Sequence, residues 1–218
     1  MLSAPTINRA HLLILTVLLS GLCSLALSAP KSSYDEVIKN DLWGNIYKDG
    51  GHCFYSNKSF TKKSPLIVES HIYSKSWIRE HLQCGTSRQC TRKSPDYITI
   101  TSDLHNIVAA QSTLAFKLNT ATFGALDERT EANEFGMRTR FHIVEPSDEK
   151  KGDVARAIFY MHKKYNLPLR GSLYDFVLWN ELDPPSEDER KRNDLIESIQ
   201  GTRNPYVDQP EKVQRDTN

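Results

Sequence analysis

The sequence has few cysteines and no marked excess of charge of either sign. Four cysteines occur among 218 residues, and the chain contains no CxxC or HxxxH spacing, so the usual zinc-binding patterns are absent. Lys and Arg number 28 against 27 Asp and Glu, so net charge alone does not indicate a nucleic-acid-binding protein. The chain also lacks internal repeats and low-complexity tracts, which argues against a repeat array.

The N-terminus has the pattern of a secretory signal peptide. Arg9 and His11 precede an uncharged, mainly apolar run over residues 12–22, which is too short to cross a bilayer, and small residues at 26–28 suit cleavage before Ala29. A lipid-modified Cys23 is a weaker alternative, because Leu22 stands where lipoprotein signals carry a small residue. We therefore predict that residues 1–28 are a signal peptide and that the chain is exported, either to a periplasm or out of the cell. The mature form is expected to be free of the membrane.

The mature chain is expected to form a single domain. Removing 28 residues from 218 leaves 190, a length that normally folds around one core. We assign residues 29–210 to this domain and residues 211–218 to a charged, flexible tail, and we expect a monomer.

Hydrophobic spacing predicts an α+β fold in which helices are the majority. Strands are expected at residues 53–55, 66–68 and 97–101, where aromatic and β-branched residues cluster. Helices are expected at residues 32–47, from a Ser102 cap onward through Leu118, and in the C-terminal third, where Ser172 and Ser186 are candidate caps. Asp183-Pro184-Pro185 should end one helix and Gly201 another.

Charge is unevenly distributed along the chain. Residues 52–93 contain eight Lys and Arg residues against Glu69 and Glu80 alone. Such a segment can hold a polyanion, or it can be an ordinary solvated surface covered by carboxylates from elsewhere.

Three cysteines remain in the mature chain, and two of them are close in sequence. Cys84 and Cys90 bracket a short loop containing Gly85, so they are the favoured disulfide, which leaves Cys53 unpaired. Zinc binding by these cysteines with His52, His71 and His81 is the weaker alternative, because the spacings do not fit.

The segment Trp77-Ile78-Arg79-Glu80-His81 carries the most informative chemistry. A carboxylate can hold a divalent cation while a neighbouring imidazole takes a proton from water, which is the chemistry that phosphodiester cleavage requires. The dipeptide alone is weak evidence, so its context must supply the specificity.

That context resembles the endonuclease I family of non-specific periplasmic and secreted nucleases. Residues 77–81 resemble its WNREH motif, and Ser102-Asp103-Leu104-His105-Asn106 matches its SDLHN. Three further segments, in the family's order, are residues 151–161 (KGDVARA and YM), residues 179–184 (WNxxDP) and residues 199–207 (IQGNRNPFV). We expect Trp179 and the segments 160–161 and 200–205 to serve packing rather than chemistry.

The resemblance implies a short β-hairpin and a helix that clasp one Mg²⁺, with the histidine on the hairpin side. By this resemblance Glu80 is a metal ligand and His81 the general base. Asp103 and Asn106 orient the site rather than touch substrate, and His105 is as well explained by packing. The family's phosphate-binding arginine cannot be placed by position, so Arg88 and Arg92 are its candidates.

One departure from the family concerns the second metal ligand. An ungapped alignment places the family's asparagine at Ala115, which cannot bind a metal. Asn119, one helical turn later, would face the same site and could act through a water. The competing interpretation is that Asn119 only ends the helix.

The sequence thus predicts a non-specific, Mg²⁺-dependent endonuclease that acts on DNA and possibly on RNA. A second hypothesis follows from Ala115: a family member that binds nucleic acid or another partner without cutting it. A zinc-stabilised interaction module is the third and weakest hypothesis.

Overall fold

The computed structural model of the protein describes Met1 and residues 33–216. Residues 33–216 belong to one compact unit, and the predicted signal peptide lies, apart from Met1, outside the described residues. Helices predominate over small sheets of two or three strands, so the expected α+β class is confirmed. Within the described residues, no helix has both the length and the apolar character that a membrane crossing requires.

The elements fall into an N-terminal part with short strands and a C-terminal part of helices. The strands are β1 (Gly51–His52), β2 (Ser59–Phe60), β3 (Ile67–His71), β4 (Ile107–Gln111), β5 (Thr122–Phe123), β6 (Arg138–Arg140) and β7 (Ile143–Glu145). The first helix, α1, begins as Tyr34–Glu36 and continues with π-helical winding over Val37–Ile46. The other helices are α2 (Lys75–Leu82), α3 (Ser87–Lys93), α4 (Pro95–Thr101), α5 (Ser112–Leu118), α6 (Lys151–Tyr165), α7 (Leu173–Leu182), α8 (Glu187–Gln200), α9 (Pro205–Asp208) and α10 (Lys212–Asp216), with 3₁₀ turns at Leu104–Asn106 and Asp148–Lys150.

Two antiparallel strands and a helix form the unit that the resemblance implied. β3 pairs with β4 so that Glu69 lies opposite Ala109, and α5 follows β4 directly and packs on β3. However, the expected short hairpin is wrong, because residues 72–106, which contain α2, α3 and α4, separate the two strands. We call β3, β4 and α5 the strand–helix unit.

Residues 97–101 are helical, and the predicted strand there is wrong. Ser94 caps this helix, α4, and Pro95 occupies its first turn, where a missing N–H costs nothing. Its β-branched threonines bond back to the helix, with Thr101 Oγ1 donating to Tyr97 O at 2.7 Å. Helix-start signals therefore outweigh β propensity in this segment.

The predicted helix from Ser102 through Leu118 is also wrong over its first half. Asp103 caps a single 3₁₀ turn, after which the chain extends as β4 before α5 begins. β4 is buried on both faces, since Val108 and Ala110 pack in the main hydrophobic core and Ile107 packs in a second, smaller apolar cluster. The run Ile107–Ala110 is therefore apolar throughout, and periodicity does not distinguish it from a helix.

Two other assignments are corrected. Residues 53–55 form a turn between β1 and β2 instead of a strand, whereas the strand expected at 66–68 is present as β3. The expected flexible tail is helical over Lys212–Asp216, because Val213 is fully buried and Tyr206 Oη donates to Asp216 Oδ2 at 2.8 Å.

The C-terminal helices agree with their sequence signals. Ser172 and Ser186 cap α7 and α8, and Gly201 ends α8 at φ 74°. α6 lies against α7, and the close approach needs Gly152, since an added Cβ would meet Asp183 O at 1.9 Å. These helices contribute a large part of the main core, including the fully buried Ile158, Phe159 and Phe176.

A buried ionic network joins α6 to α8. The Arg156 side chain has no exposed surface and donates to both Glu189 carboxylate oxygens, at 2.8 and 2.6 Å, and to Asp153 Oδ1 at 3.1 Å. Burial raises the pKa of Glu189 to about 8, and the nearby Asp153 carboxylate adds to this rise. The pKa of Asp153 is lowered, because Lys150 and Arg156 outweigh the opposing effect of its burial.

Candidate active site

Helix α2 presents Glu80 and His81 to solvent. Ser74 caps the helix, Trp77 and Ile78 are buried, and Gln83 ends it in the left-handed region at φ 49°. Glu80 and His81 therefore lie in an exposed last turn whose opposite side is fixed in the core. His81 has no hydrogen bond or ion pair to another described residue, so its imidazole is open to substrate or water.

Arg170 contacts the Glu80 carboxylate from the loop between α6 and α7. Arg170 Nη2 lies 2.7 Å from Glu80 Oε1, and the Tyr73 ring places its hydroxyl beside the same guanidinium. The pKa of Arg170 is raised by its hydrogen bond with Glu80. Arg170 Nε is buried and has no hydrogen-bond partner among the described residues. No local sequence pattern links Arg170 to Glu80, because 90 positions separate them.

The loop that carries Arg170 is held in one conformation. Tyr73 Oη donates to Pro168 O at 2.8 Å, and Leu167 is buried. Gly171 follows at φ 130°, and a Cβ there would meet Phe123 O at 2.6 Å. This packing brings the guanidinium toward α2.

Asn106 positions the start of α2 from the core. It has no exposed surface, and its Oδ1 accepts from Tyr73 N at 2.6 Å while its Nδ2 donates to Tyr73 O at 2.9 Å. Both backbone groups of Tyr73 are therefore satisfied by one side chain. Asn106 is out of reach of substrate, in line with the orienting role that the resemblance implies.

Asp103 and His105, beside Asn106, are parts of a buried cluster. Asp103 Oδ2 accepts from Tyr160, Lys164 and Tyr165 at 2.7–2.8 Å. Burial lowers the pKa of His105 to about 4, so its ring is neutral, and its Nε2 lies 2.8 Å from Thr202 O. The structure thus gives His105 a packing role.

Helix α5 ends beside α2. Asn119 is the C-terminal cap, and its carbonyl oxygen accepts from Ser74 Oγ and, at 3.3 Å, from Ser76 Oγ. Glu80 lies one turn after Ser76 on the same side of α2. The Asn119 side chain is exposed and has no hydrogen bond to another described residue, and Ala115 packs against the main core.

The histidine on the strand–helix unit is His71, whereas His81 lies on α2. His71 ends β3, where it stacks on Tyr34 at a centroid distance of 5.9 Å and its Nε2 lies 2.9 Å from Thr101 O. Burial lowers its pKa to about 3, so its ring is neutral and closed to solvent. Ser70 and Val68 lie on the other face of β3, opposite Val108 and Ala110, which line the main core. The expectation that the hairpin carries His81 is therefore wrong.

Arg88 and Arg92 lie on α3, which a disulfide joins to the end of α2. Cys84 and Cys90 are bonded and Cys53 is free and buried, as predicted. Both arginines are exposed and form no ion pair or hydrogen bond with a described residue. They are free to contact a polyanion near His81.

The metal-binding capacity of this region rests on Glu80. Across the described residues, no three His, Cys, Asp or Glu side chains gather in a way that could hold a metal ion. The single exposed carboxylate still fits Mg²⁺, which is often held by one or two carboxylates with waters and phosphate. The donors near Glu80 thus match a weakly held ion rather than a closed metal cage.

Comparison with known proteins shows to which family the compact unit belongs. The profile of the family described as Endonuclease I matches residues 34–211, which include α2, the strand–helix unit and helices α6 to α9. The chain belongs to the endonuclease I family. This membership confirms the resemblance drawn from the five motifs.

Proteins similar to this chain include several that are named as nucleases. The chain is 32% identical over 175 residues to the Endonuclease-1 of Buchnera aphidicola subsp. Acyrthosiphon pisum (strain APS), an alignment covering 75% of this chain and 66% of that protein. It is 38% identical over 158 residues to the Extracellular ribonuclease of Bacillus subtilis (strain 168), covering 62% of this chain and 50% of that relative. A Periplasmic deoxyribonuclease of Aeromonas hydrophila is 25% identical over 170 residues, covering 73% of this chain and 70% of that protein. The chain therefore spans between half and somewhat over two thirds of these relatives.

Proposed function

We propose that this chain is an exported, metal-dependent endonuclease that hydrolyses phosphodiester bonds in DNA and RNA with little sequence preference. The observation that carries the proposal is the match to the endonuclease I family across nearly all of the described unit. Relatives named as deoxyribonuclease and ribonuclease support both substrates, and relatives named as periplasmic or extracellular support export, as does the N-terminal signal pattern.

The accessible Glu80–His81 pair supports the assignment of roles. Imidazole is the common side chain that can take a proton from water near neutral pH. His81 is exposed, whereas His71 is buried and closed to solvent. Glu80 would hold Mg²⁺, which supplies a positive charge that stabilises the phosphate during cleavage. Arg170 would then leave its ion pair with Glu80 and offer its planar guanidinium to a phosphate oxygen. Arg88 and Arg92 would hold the flanking backbone, and Asn119 would approach the ion through a water.

A second candidate function is nucleic-acid binding without cleavage. Ala115 favours this function, because alanine cannot bind a metal. The side of β3 that faces the main core also lacks reactive groups, since Val68 and Ser70 offer neither imidazole nor carboxylate. Both functions require a surface that binds a polyanion, so a binding assay alone does not separate them.

Plasmid nicking by the purified mature protein, with Mg²⁺ and with EDTA, tests the proposal. We expect smeared, Mg²⁺-dependent degradation of the plasmid and of a single-stranded RNA. Retained binding in a gel-shift assay with no cleavage at any Mg²⁺ concentration would select the second function.

His81→Ala tests the general base. We expect the rate to fall by about two to four orders of magnitude with an unchanged melting temperature, because positioned acid–base catalysis has about this worth. His52→Ala is the matched control, since His52 is also exposed and lies on β1. Full activity in His81→Ala would place the base elsewhere. Glu80→Ala should instead recover part of its activity at high Mg²⁺.

A further inference from the structure

The hairpin of β6 and β7 carries an exposed aromatic ring at its tip. Arg140 pairs with Ile143, so only Phe141 and His142 connect the two strands. Phe141 has φ 54°, a left-handed conformation that is unusual for a bulky residue, and it is 89% exposed. The chain therefore holds a large apolar ring in solvent at a position where its backbone is strained, a combination that often marks a functional site.

A free positive charge lies beside this ring. The Arg140 guanidinium is 5.8 Å from the Phe141 centroid, and Arg140 forms no ion pair among the described residues. The acidic neighbour is Asp127, whose carboxylate is bound by Arg129 at 2.6 Å. Arg140 is thus available to a ligand that presents negative charge next to a flat apolar face.

A second exposed ring lies on α5, one turn before the residue whose carbonyl contacts α2. Thr122 N donates to His142 O at 2.8 Å, which ties the tip to the segment that follows α5. Phe116, on α5, is 86% exposed, and it precedes Asn119 by one turn. Asn119 in turn contacts Ser76 of α2, one turn before Glu80.

The distances along this path are short. The three residues from Asn119 to Thr122 span at most about 10 Å, and one helical turn from Ser76 to Glu80 adds about 6 Å. With the two hydrogen-bonded crossings, His142 to Thr122 and Asn119 to Ser76, included, the path from the tip to Glu80 is at most roughly 35 Å, which a stacked single strand of about ten nucleotides would cover at about 3.4 Å each.

We propose that Phe141 and Phe116 form a platform on which unpaired bases of a single-stranded nucleic acid stack, while Arg140 and Lys117 contact its backbone. The proposal rests on the proposed nuclease function for its choice of ligand. It adds a preference that the active site alone does not supply: a duplex keeps its bases stacked inside, so only single strands and loops can use exposed rings.

The test measures fluorescence anisotropy of a labelled 12-nucleotide oligo-dT and of a 12-base-pair duplex, in EDTA to prevent cleavage. Phe141→Asn removes the ring with a residue that tolerates the left-handed backbone, and Phe116→Ala removes the second ring. Each should weaken oligo-dT binding by about 5- to 100-fold, the usual effect of removing one stacking aromatic, and duplex binding by less than twofold. Phe141→Tyr should retain wild-type affinity. Tyr174→Ala is the matched control, because Tyr174 is 76% exposed on α7.

The platform is refuted if both ring deletions leave oligo-dT affinity within twofold of wild type, if Phe141→Tyr loses as much as Phe141→Asn, or if the wild type does not bind oligo-dT. The platform and the nuclease function can be refuted independently of each other. A wild type that cleaves plasmid but binds oligo-dT independently of the rings overturns the platform alone. A wild type that cleaves nothing, yet loses oligo-dT binding with Phe141→Asn, overturns the nuclease function alone.

Discussion

Replacing Asn106 should show how strongly the core positions α2. In Asn106→Ala both hydrogen bonds to Tyr73 are lost, which leaves a buried N–H and a buried C=O unsatisfied. Each such group costs about 1–3 kcal/mol, so we expect the free energy of unfolding to fall by about 4 kcal/mol. For a domain of this size, that corresponds to a melting temperature lower by about 8–16 °C. Because Tyr73 also holds Pro168, the same change should loosen Arg170 and lower the cleavage rate.

Urea denaturation followed by tryptophan fluorescence measures this loss, and hydrogen exchange at the Tyr73 amide locates it. Asn40→Ala is the matched control, because Asn40 is exposed on α1 and should change stability by less than about 0.5 kcal/mol. A loss below about 1 kcal/mol in Asn106→Ala, or an unchanged exchange rate at Tyr73, would mean that α2 is held by other contacts and that Asn106 has no positioning role.

Three further predictions concern pH, the disulfide and the missing ligand. The pKa of Glu189 is raised in the fold from 4.5 to about 8, so between these values the native state keeps a proton that the unfolded chain loses. The stability that this proton contributes is complete below pH 4.5 and falls as pH rises toward 8. Glu189→Gln should flatten the dependence of the melting temperature on pH over that window, and an unchanged slope would contradict the assignment. The disulfide closes a loop between positions six apart, so replacing Cys84 and Cys90 with Ala should cost about 2 kcal/mol of unfolding free energy, whereas equal urea midpoints would show that α3 is held without it. Ala115→Asn should tighten Mg²⁺ binding in calorimetry and raise the cleavage rate, whereas Asn119→Ala should reduce both; no effect from either would place the ion away from α5.

The C-terminal half of the fold was predictable because its signals are local. Apolar residues at 154, 158, 161 and 165, with serine caps before α7 and α8, specify helices without reference to other segments. The N-terminal half was not, because its strands are defined by partners far along the chain. Ile107–Gln111 becomes a strand only by pairing with Ile67–His71, and an apolar run of this length fits helix and strand equally well.

The exposed reactive residues of the candidate site could be predicted from the sequence, but the tertiary contacts that bring them together could not. Glu80, His81 and the Cys84–Cys90 pair follow from neighbouring residues. The Arg170 contact with Glu80 depends on how the loop after α6 packs on Tyr73, which no local pattern encodes. Likewise, His71 and not His81 lies on the strand–helix unit because residues 67–71 pair with residues 107–111 while residues 75–82 are helical, and this pairing is tertiary.

The buried cluster around Asp103 and His105 makes the candidate active site depend on residues far along the chain. Leu104 N and Asp103 Oδ1 bond to the Gln200 side chain, and His105 bonds to Thr202 O, across separations of 96 and 97 positions. Such contacts close late, because long loops must be ordered before they form. A form of the chain lacking residues 200–202 would therefore lose the contacts that hold the turn before Asn106, so the candidate site would acquire its working geometry only once the end of α8 had folded onto this turn.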